Sequence, residues 1–165
     1  MEQTIQNSLL IALIVCTGLS AGLCFTWSNA VTTGLGRLDN FGYLSAFQQM
    51  NRTILNPLFF LVFFGPLILG VINMFVFKSA TTTVVWLLIL AVVIYFIGVL
   101  LVTVFGNVPL NEILDQTNLN TVSSEDLKTL RNQFEAKWNR LHLIRTVASI
   151  VSFILLLVAL TELKK

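Results

Sequence analysis

The fold this sequence predicts is all-α: an integral membrane four-helix bundle with two long loops, containing short helices, on one side. Three observations predict it. The chain of 165 residues is 56% hydrophobic and only 11% charged, whereas water-soluble domains carry roughly 25% charged residues. Charge-free apolar runs near the length that crosses a bilayer, about 20 residues, occur four times. These runs are continuous rather than alternating, which excludes a transmembrane barrel, and backbone in lipid must then satisfy itself within helices. The length predicts a single domain, residues 1–165.

The first span is predicted over residues 8–27, from Ser8 to Phe25 and on toward Trp27. It lacks the basic n-region and A-x-A site of a signal peptide, and its apolar run is too long, so a retained helix is expected. Cys16 and Cys24 lie in it, eight residues apart, or about 12 Å along a helix. That is beyond the roughly 7 Å a disulfide tolerates, so thiol–disulfide chemistry is not expected. In "YLSAFQQMNRTIL" the residues Leu44, Phe47, Met50 and Ile54 recur at helical spacing, predicting an amphipathic helix that feeds the second span. The second span covers 57–77 and begins at Pro57; "KSAT", Lys78 to Thr81, forms a tight turn; the third span covers 82–105. "NVPLN" reads as the turn that ends it, because Pro109 cannot continue a helical ladder. Ser123, followed by acidic residues in "SSEDLKTLRNQFEAKW", predicts an N-cap for a helix running into the fourth span, 141–160.

An up-down-up-down path then puts both long connections, Ser28 to Asn56 and Gly106 to Arg140, on one side. The termini and the short turn share the other. Arg37, Arg52, Lys128, Arg131, Lys137 and Arg140 lie on the long-loop side, against Lys78, Lys164 and Lys165 opposite. The positive-inside rule does not settle orientation, since several of these arginines are also site candidates. The long loops are taken as cytoplasmic, in the inner (plasma) membrane of a bacterium.

Polar residues in such a chain are costly and usually face the bundle interior. Four clusters of them occur, each at a span end on the long-loop side: Trp27, Ser28 and Asn29; Asn51, Arg52 and Asn56; Asn107, Asn111 and Glu112; Trp138, Asn139, His142 and Arg145. At 100° per residue, Trp138, His142, Arg145, Ser149 and Ser152 fall within about 80° of one another, while Arg140 points away. Thr17, Ser20, Cys24 and Ser28 form a comparable stripe on the first helix, with Gly18 and Gly22 permitting close packing. If the stripes face each other, a small polar-lined cavity opens at the mouth. Two structural roles compete with this: serine and threonine as interhelical glue, and asparagine as a helix cap.

Several chemistries are disfavoured. One histidine, with Cys24 and Glu112, makes a poor ligand set, so no metal is expected. No dinucleotide, P-loop or zinc-protease motif is present, and the predicted spans contain no carboxylate for proton-coupled transport. The net charge of +2 and the scattered basic residues give no footprint for nucleic acid. Oligomeric state is not encoded in any of these features.

The segments "AGLCFTWSNAV", "MNRTILNPLFF", "VFGNVPLNEIL" and "KWNRLHLIRTVAS" together resemble the anthrone-oxygenase-like family of small four-span membrane proteins, in the same order and across Gly18 to Ser152. Some fungal relatives oxidise the central ring carbon of an anthrone to a quinone with molecular oxygen, without a conventional cofactor. By position, the family pattern falls on Ser28, Asn29, Asn51, Asn56, Pro57, Asn107, Pro109, Asn111, Trp138, Asn139, His142 and Arg145. The resemblance implies an oxygenase of a small aromatic or quinol-like substrate needing no cofactor. His142 would be its general base. Arg145, with Asn107 and Asn139, would stabilise the enolate or phenolate, and Trp27 and Trp138 would wall the ring. The alternative is a non-catalytic protein that holds a membrane lipid or partner at the same mouth, with Arg52 and Arg145 on an anionic headgroup.

Overall fold

The computed structural model describes residues 2–163; Lys164 and Lys165, which entered the charge count, lie outside the described residues. Five helices make up the fold. The first, α1, runs over Glu2–Thr26 and continues unbroken through a π-helical turn, Trp27–Val31, into Thr32–Leu35. Next come α2, Asn40–Ile54, and α3, Pro57–Val76. Then α4 starts as Thr82–Tyr95 and passes through two π-helical stretches, Phe96–Leu101 and Thr103–Asn107, to end as Val108–Gln116. Last is α5, Ser124–Glu162. Four of them are long and apolar enough to cross a membrane, the signature of an integral membrane protein.

Local chemistry sets the helix starts. The side chains of Asp39, Asn56, Thr81 and Ser123 accept from the backbone N–H three residues on, filling donors that a first turn leaves bare. Pro57 then occupies the first turn of α3, where its missing N–H costs nothing.

Two expected helix ends are corrected. The helix that carries the first span does not stop at Trp27 but runs to Leu35, leaving only residues 36–39 before α2. The third does not end at a turn on Pro109, and helix continues to Gln116. The reason is shared: a π turn absorbs an extra residue, as when the N–H of Thr32 bonds the carbonyl of Trp27 and that of Val108 bonds Thr103. Upstream of Pro109 the widened turns take up the ring that would otherwise meet a carbonyl one turn back. The "long loops" are therefore mostly helix.

Three apolar clusters stack along the bundle. At the far end Leu10, Leu13, Phe77, Val84, Leu88, Leu156 and Ala159 pack together, joining the start of α1, the α3–α4 turn and the end of α5, as an antiparallel path requires. Phe63, Tyr95, Val99 and Ala148 fill the middle. At the mouth, Tyr43, Leu44 and Phe47 of α2 pack on Leu114, Leu127, Phe134 and Trp138. Arg131 fastens this layer: it donates to the carbonyls of Leu38 (2.7 Å) and Gly36 (2.8 Å), pairs with Glu135 (2.7 Å) and lies over the Tyr43 ring. Burial, with Glu135 adding to it and Arg131 opposing, pushes the Tyr43 phenol above its ordinary range.

Candidate functional site

The polar stripe of α5 does meet that of α1. His142 is 2% exposed, and its ring stacks on Trp138 one turn earlier, at 4.8 Å between centroids and 12° between planes. Trp27 closes the group, 5.6 Å from Trp138 and 6.2 Å from His142. The indole N–H of Trp138 donates to Asn111 Oδ1 at 2.8 Å, and the Trp138 carbonyl accepts from Asn107 Nδ2 at 3.3 Å, so α4 holds the register of α5 here.

One contact settles the histidine's tautomer. His142 Nε2 lies 3.0 Å from the carbonyl oxygen of Cys24, which can only accept, so Nε2 carries the proton and donates. In the neutral ring Nδ1 is then a bare lone pair, and it is buried without a partner among the described residues. Thr146 supports the same corner: its hydroxyl reaches Cys24 O at 3.3 Å and His142 O at 3.0 Å, and meets Ser28 Oγ at 2.8 Å.

Beside this group lies a cavity of about 370 Å³, within the range of small-molecule sites. Phe59, Phe60, Phe63 and Phe64 of α3 make one wall, Thr103, Val104, Val108, Asn111, Glu112 and Asp115 of α4 another, and Trp138, His142 and Arg145 of α5 a third, with Trp27 and Cys24 of α1 and Asn51 and Arg52 of α2 at the rim. Three of these residues carry a buried polar atom with no partner among the described residues: the acceptor His142 Nδ1 and the donors Arg145 Nε and Asn51 Nδ2. Arg52 is spoken for, because its Nε bonds Asp115 Oδ1 at 2.6 Å.

Of the residues singled out from the sequence, Cys24, Trp27, Asn51, Arg52, Asn111, Glu112, Trp138, His142 and Arg145 line this cavity. The others take structural positions: Ser28 bonds Thr146, Asn29 is exposed on the π turn, Asn56 caps α3, Asn107 ties α4 to α5, and Asn139 is half-buried with an unpartnered Oδ1. The two stripes meet at Ser28, Thr146, Cys24 and His142, and of their members Cys24, Trp138, His142 and Arg145 line the cavity. Ser20 and Ser152 instead bond α4, and Thr17 and Ser149 bond their own helices. Sequence reasoning missed the phenylalanine wall, whose signal is the i, i+4 pairs within "LFFLVFF", and missed Asp115. Glu112 and Asp115 lie beyond the predicted third span, 82–105, which holds no carboxylate; the continuing helix of α4 carries both to the cavity. Among the described residues no three of His, Cys, Asp and Glu lie close enough to hold a metal ion.

No curated protein and no solved structure matches the chain. The family model described as anthrone oxygenase matches residues 59–155, which run from the phenylalanine wall of α3 past Arg145. With more than half its length matched, the chain belongs to the anthrone oxygenase family.

Proposed function

We propose that the cavity binds a flat aromatic or quinol-like molecule and that the protein oxidises it with molecular oxygen, without a cofactor. The observation that carries this is the inventory of unsatisfied atoms on residues that line an aromatic-walled cavity: one buried acceptor, His142 Nδ1, and two buried donors, Arg145 Nε and Asn51 Nδ2. An acidic C–H or phenol matches the acceptor, and a ketone oxygen that becomes an enolate matches the donors. An uncompensated guanidinium near hydrocarbon favours a developing anion strongly.

For an anthrone the steps balance as follows. His142 Nδ1 takes a proton from the methylene carbon, and Arg145 holds the charge that moves to the ketone oxygen. The enolate passes one electron to oxygen and the radical pair collapses, forming the carbon–oxygen bond. The distal oxygen takes the proton back from His142. Loss of the second C–H proton with cleavage of the O–O bond leaves the quinone carbonyl and one water. Positioned base catalysis contributes about 10²–10⁴-fold, which sets the expected loss on removing it.

The test is oxygen uptake by the purified chain in lipid nanodiscs supplied with an anthrone, after dialysis against a chelator. One oxygen consumed per quinone formed is expected, falling by at least about 100-fold in His142→Phe and severely in Arg145→Gln. Turnover retained by a folded His142→Phe protein would sink the base role. The headgroup alternative has lost one of its two arginines, since Asp115 neutralises Arg52. We take the mouth as cytoplasmic, in a bacterial inner membrane; the larger number of basic residues on its side leans to that orientation.

A further inference from the structure

We propose that the cavity is loaded sideways, by uncharged aromatic molecules dissolved in the bilayer, through a gap between α3 and α4, while the Arg52–Asp115 pair closes it toward water. This rests on the binding part of the function above and not on the oxygen chemistry. The two helices leave their shared turn in contact, with Gly70 against Val92, and are tied once more where the Tyr95 hydroxyl donates to Phe63 O at 3.0 Å. Past Val99, which still shares a core cluster with Phe63, they part. From that level α4 leans onto α5, with Gly98 against Ala148 and Asn107 on the Trp138 carbonyl. By contrast α3 leans onto α1, with Gly65 against Cys16, and packs on the Thr82–Tyr95 part of α4 rather than on the rest. The result is a wedge that opens toward the mouth.

The sides of the wedge are apolar and face outward. Phe60, Phe64 and Val104 line the cavity, and all three are exposed large hydrophobic residues within candidate spans, with exposed Leu55 beside them at the α2–α3 junction. The water-facing end differs. A second cavity, of about 370 Å³, is lined by Ser45, Gln48, Gln49, Thr117, Asn118 and Asn120. Arg52, Asp115 and Gln116 line both cavities, so these side chains, with the 2.6 Å Arg52–Asp115 ion pair among them, are the partition. A charged solute from water must break that pair; an uncharged flat molecule in lipid meets only side chains of its own polarity before it reaches Arg145 and His142.

The experiment uses the full chain with Trp27→Phe and Trp86→Phe, leaving Trp138 as the sole tryptophan of the three; at 4% exposure, Trp138 is reached through the cavity. The protein is reconstituted in phosphatidylcholine vesicles whose acyl chains are brominated near the headgroup, or in plain vesicles with iodide on both sides. Brominated chains are expected to remove at least half of the Trp138 emission and iodide almost none. Val104→Phe, which narrows the wedge, should cut the bromolipid effect by half or more, and Arg52→Ala should admit iodide. Quenching by iodide alone, by both, or by neither overturns the proposal. Should the double variant not fold, Trp86→Phe alone is read the same way, since Trp27 and Trp138 both line the cavity. None of these readouts needs turnover, so failure of the oxygenase reading and failure of lateral loading are distinguishable.

Discussion

Replacing His142 by phenylalanine separates the two things its imidazole does. The ring plane survives, so the stack on Trp138 at 4.8 Å is kept. What is lost is the Nε2–H bond to Cys24 O, a neutral hydrogen bond with a net worth of about 0.5–1.5 kcal/mol. The carbonyl is not left bare, because Thr146 Oγ1 still reaches it at 3.3 Å. Against that loss stands the removal of Nδ1, a buried acceptor with no partner, whose desolvation penalty is about 1–3 kcal/mol. The two nearly cancel, so His142→Phe should change stability by less than about 1 kcal/mol. His142→Ala removes the ring from a site 2% exposed and should cost about 3 kcal/mol, as aromatic truncations in cores do. Unfolding of the full chain by dodecyl sulfate in mixed micelles, followed by far-ultraviolet circular dichroism, measures both. If phenylalanine proves as costly as alanine, the ring nitrogens hold the bundle together and the histidine is a lock rather than a base.

Two further substitutions test the packing around the site. A Cβ on Gly98 would overlap the Cβ of Ala148, which cannot swing aside, whereas one on Gly22 meets nothing within 4 Å. Gly98→Ala should therefore cost about 1–3 kcal/mol by overpacking, and Gly22→Ala should gain up to about 1 kcal/mol of helix propensity; equal effects in the same micelle titration would refute the close approach of α4 and α5. Arg131→Met leaves Glu135, with 27% of its side chain exposed, without its partner and frees the carbonyls of Gly36 and Leu38. A loss of about 3 kcal/mol is expected, together with faster trypsin cleavage after Arg37; a wild-type cleavage rate would show that Arg131 does not latch this turn.

Much of the architecture was legible because helices impose a 100° register. That register alone put Trp138, His142 and Arg145 on one face and sent Arg140 to solvent, and all four lie so in the fold. The residue type at Ser123 likewise foretold a cap, since a bare first-turn N–H wants a short side-chain acceptor, whereas Asn56, taken as a site candidate with capping as its competing role, caps α3. Roles of the remaining asparagines were not legible: Asn107 and Asn111 sit one turn apart on α4, yet one bonds the Trp138 carbonyl and the other its indole. Which backbone group faces a side chain depends on the neighbouring helix. The phenylalanine wall was hidden for a different reason, because phenylalanine in a span is ordinarily lipid-facing.

The misplaced ends of α1 and α4 have the largest functional consequence. A tryptophan followed by Ser-Asn, and a proline between two asparagines, both look like stops when each residue is assumed to advance a regular α-helix. Both are instead carried past by π turns, at Trp27–Val31 and through Phe96–Asn107, a distortion concentrated at functional sites. The extra turns of α4 bring Asn111, Glu112 and Asp115 to the cavity. Asn111 then fixes the indole on which His142 stacks, and Asp115 takes Arg52 out of contention as an anion site. Had α4 ended at a turn on Pro109, Arg52 and Arg145 would both stand open as cations and an anionic headgroup would be the better-matched ligand. The neutralised Arg52 leaves Arg145 as the one cation lining the cavity with an unpartnered buried nitrogen among the described residues, beside an unprotonated histidine nitrogen. That pairing suits a ligand that arrives neutral and becomes an anion only after it has given up a proton.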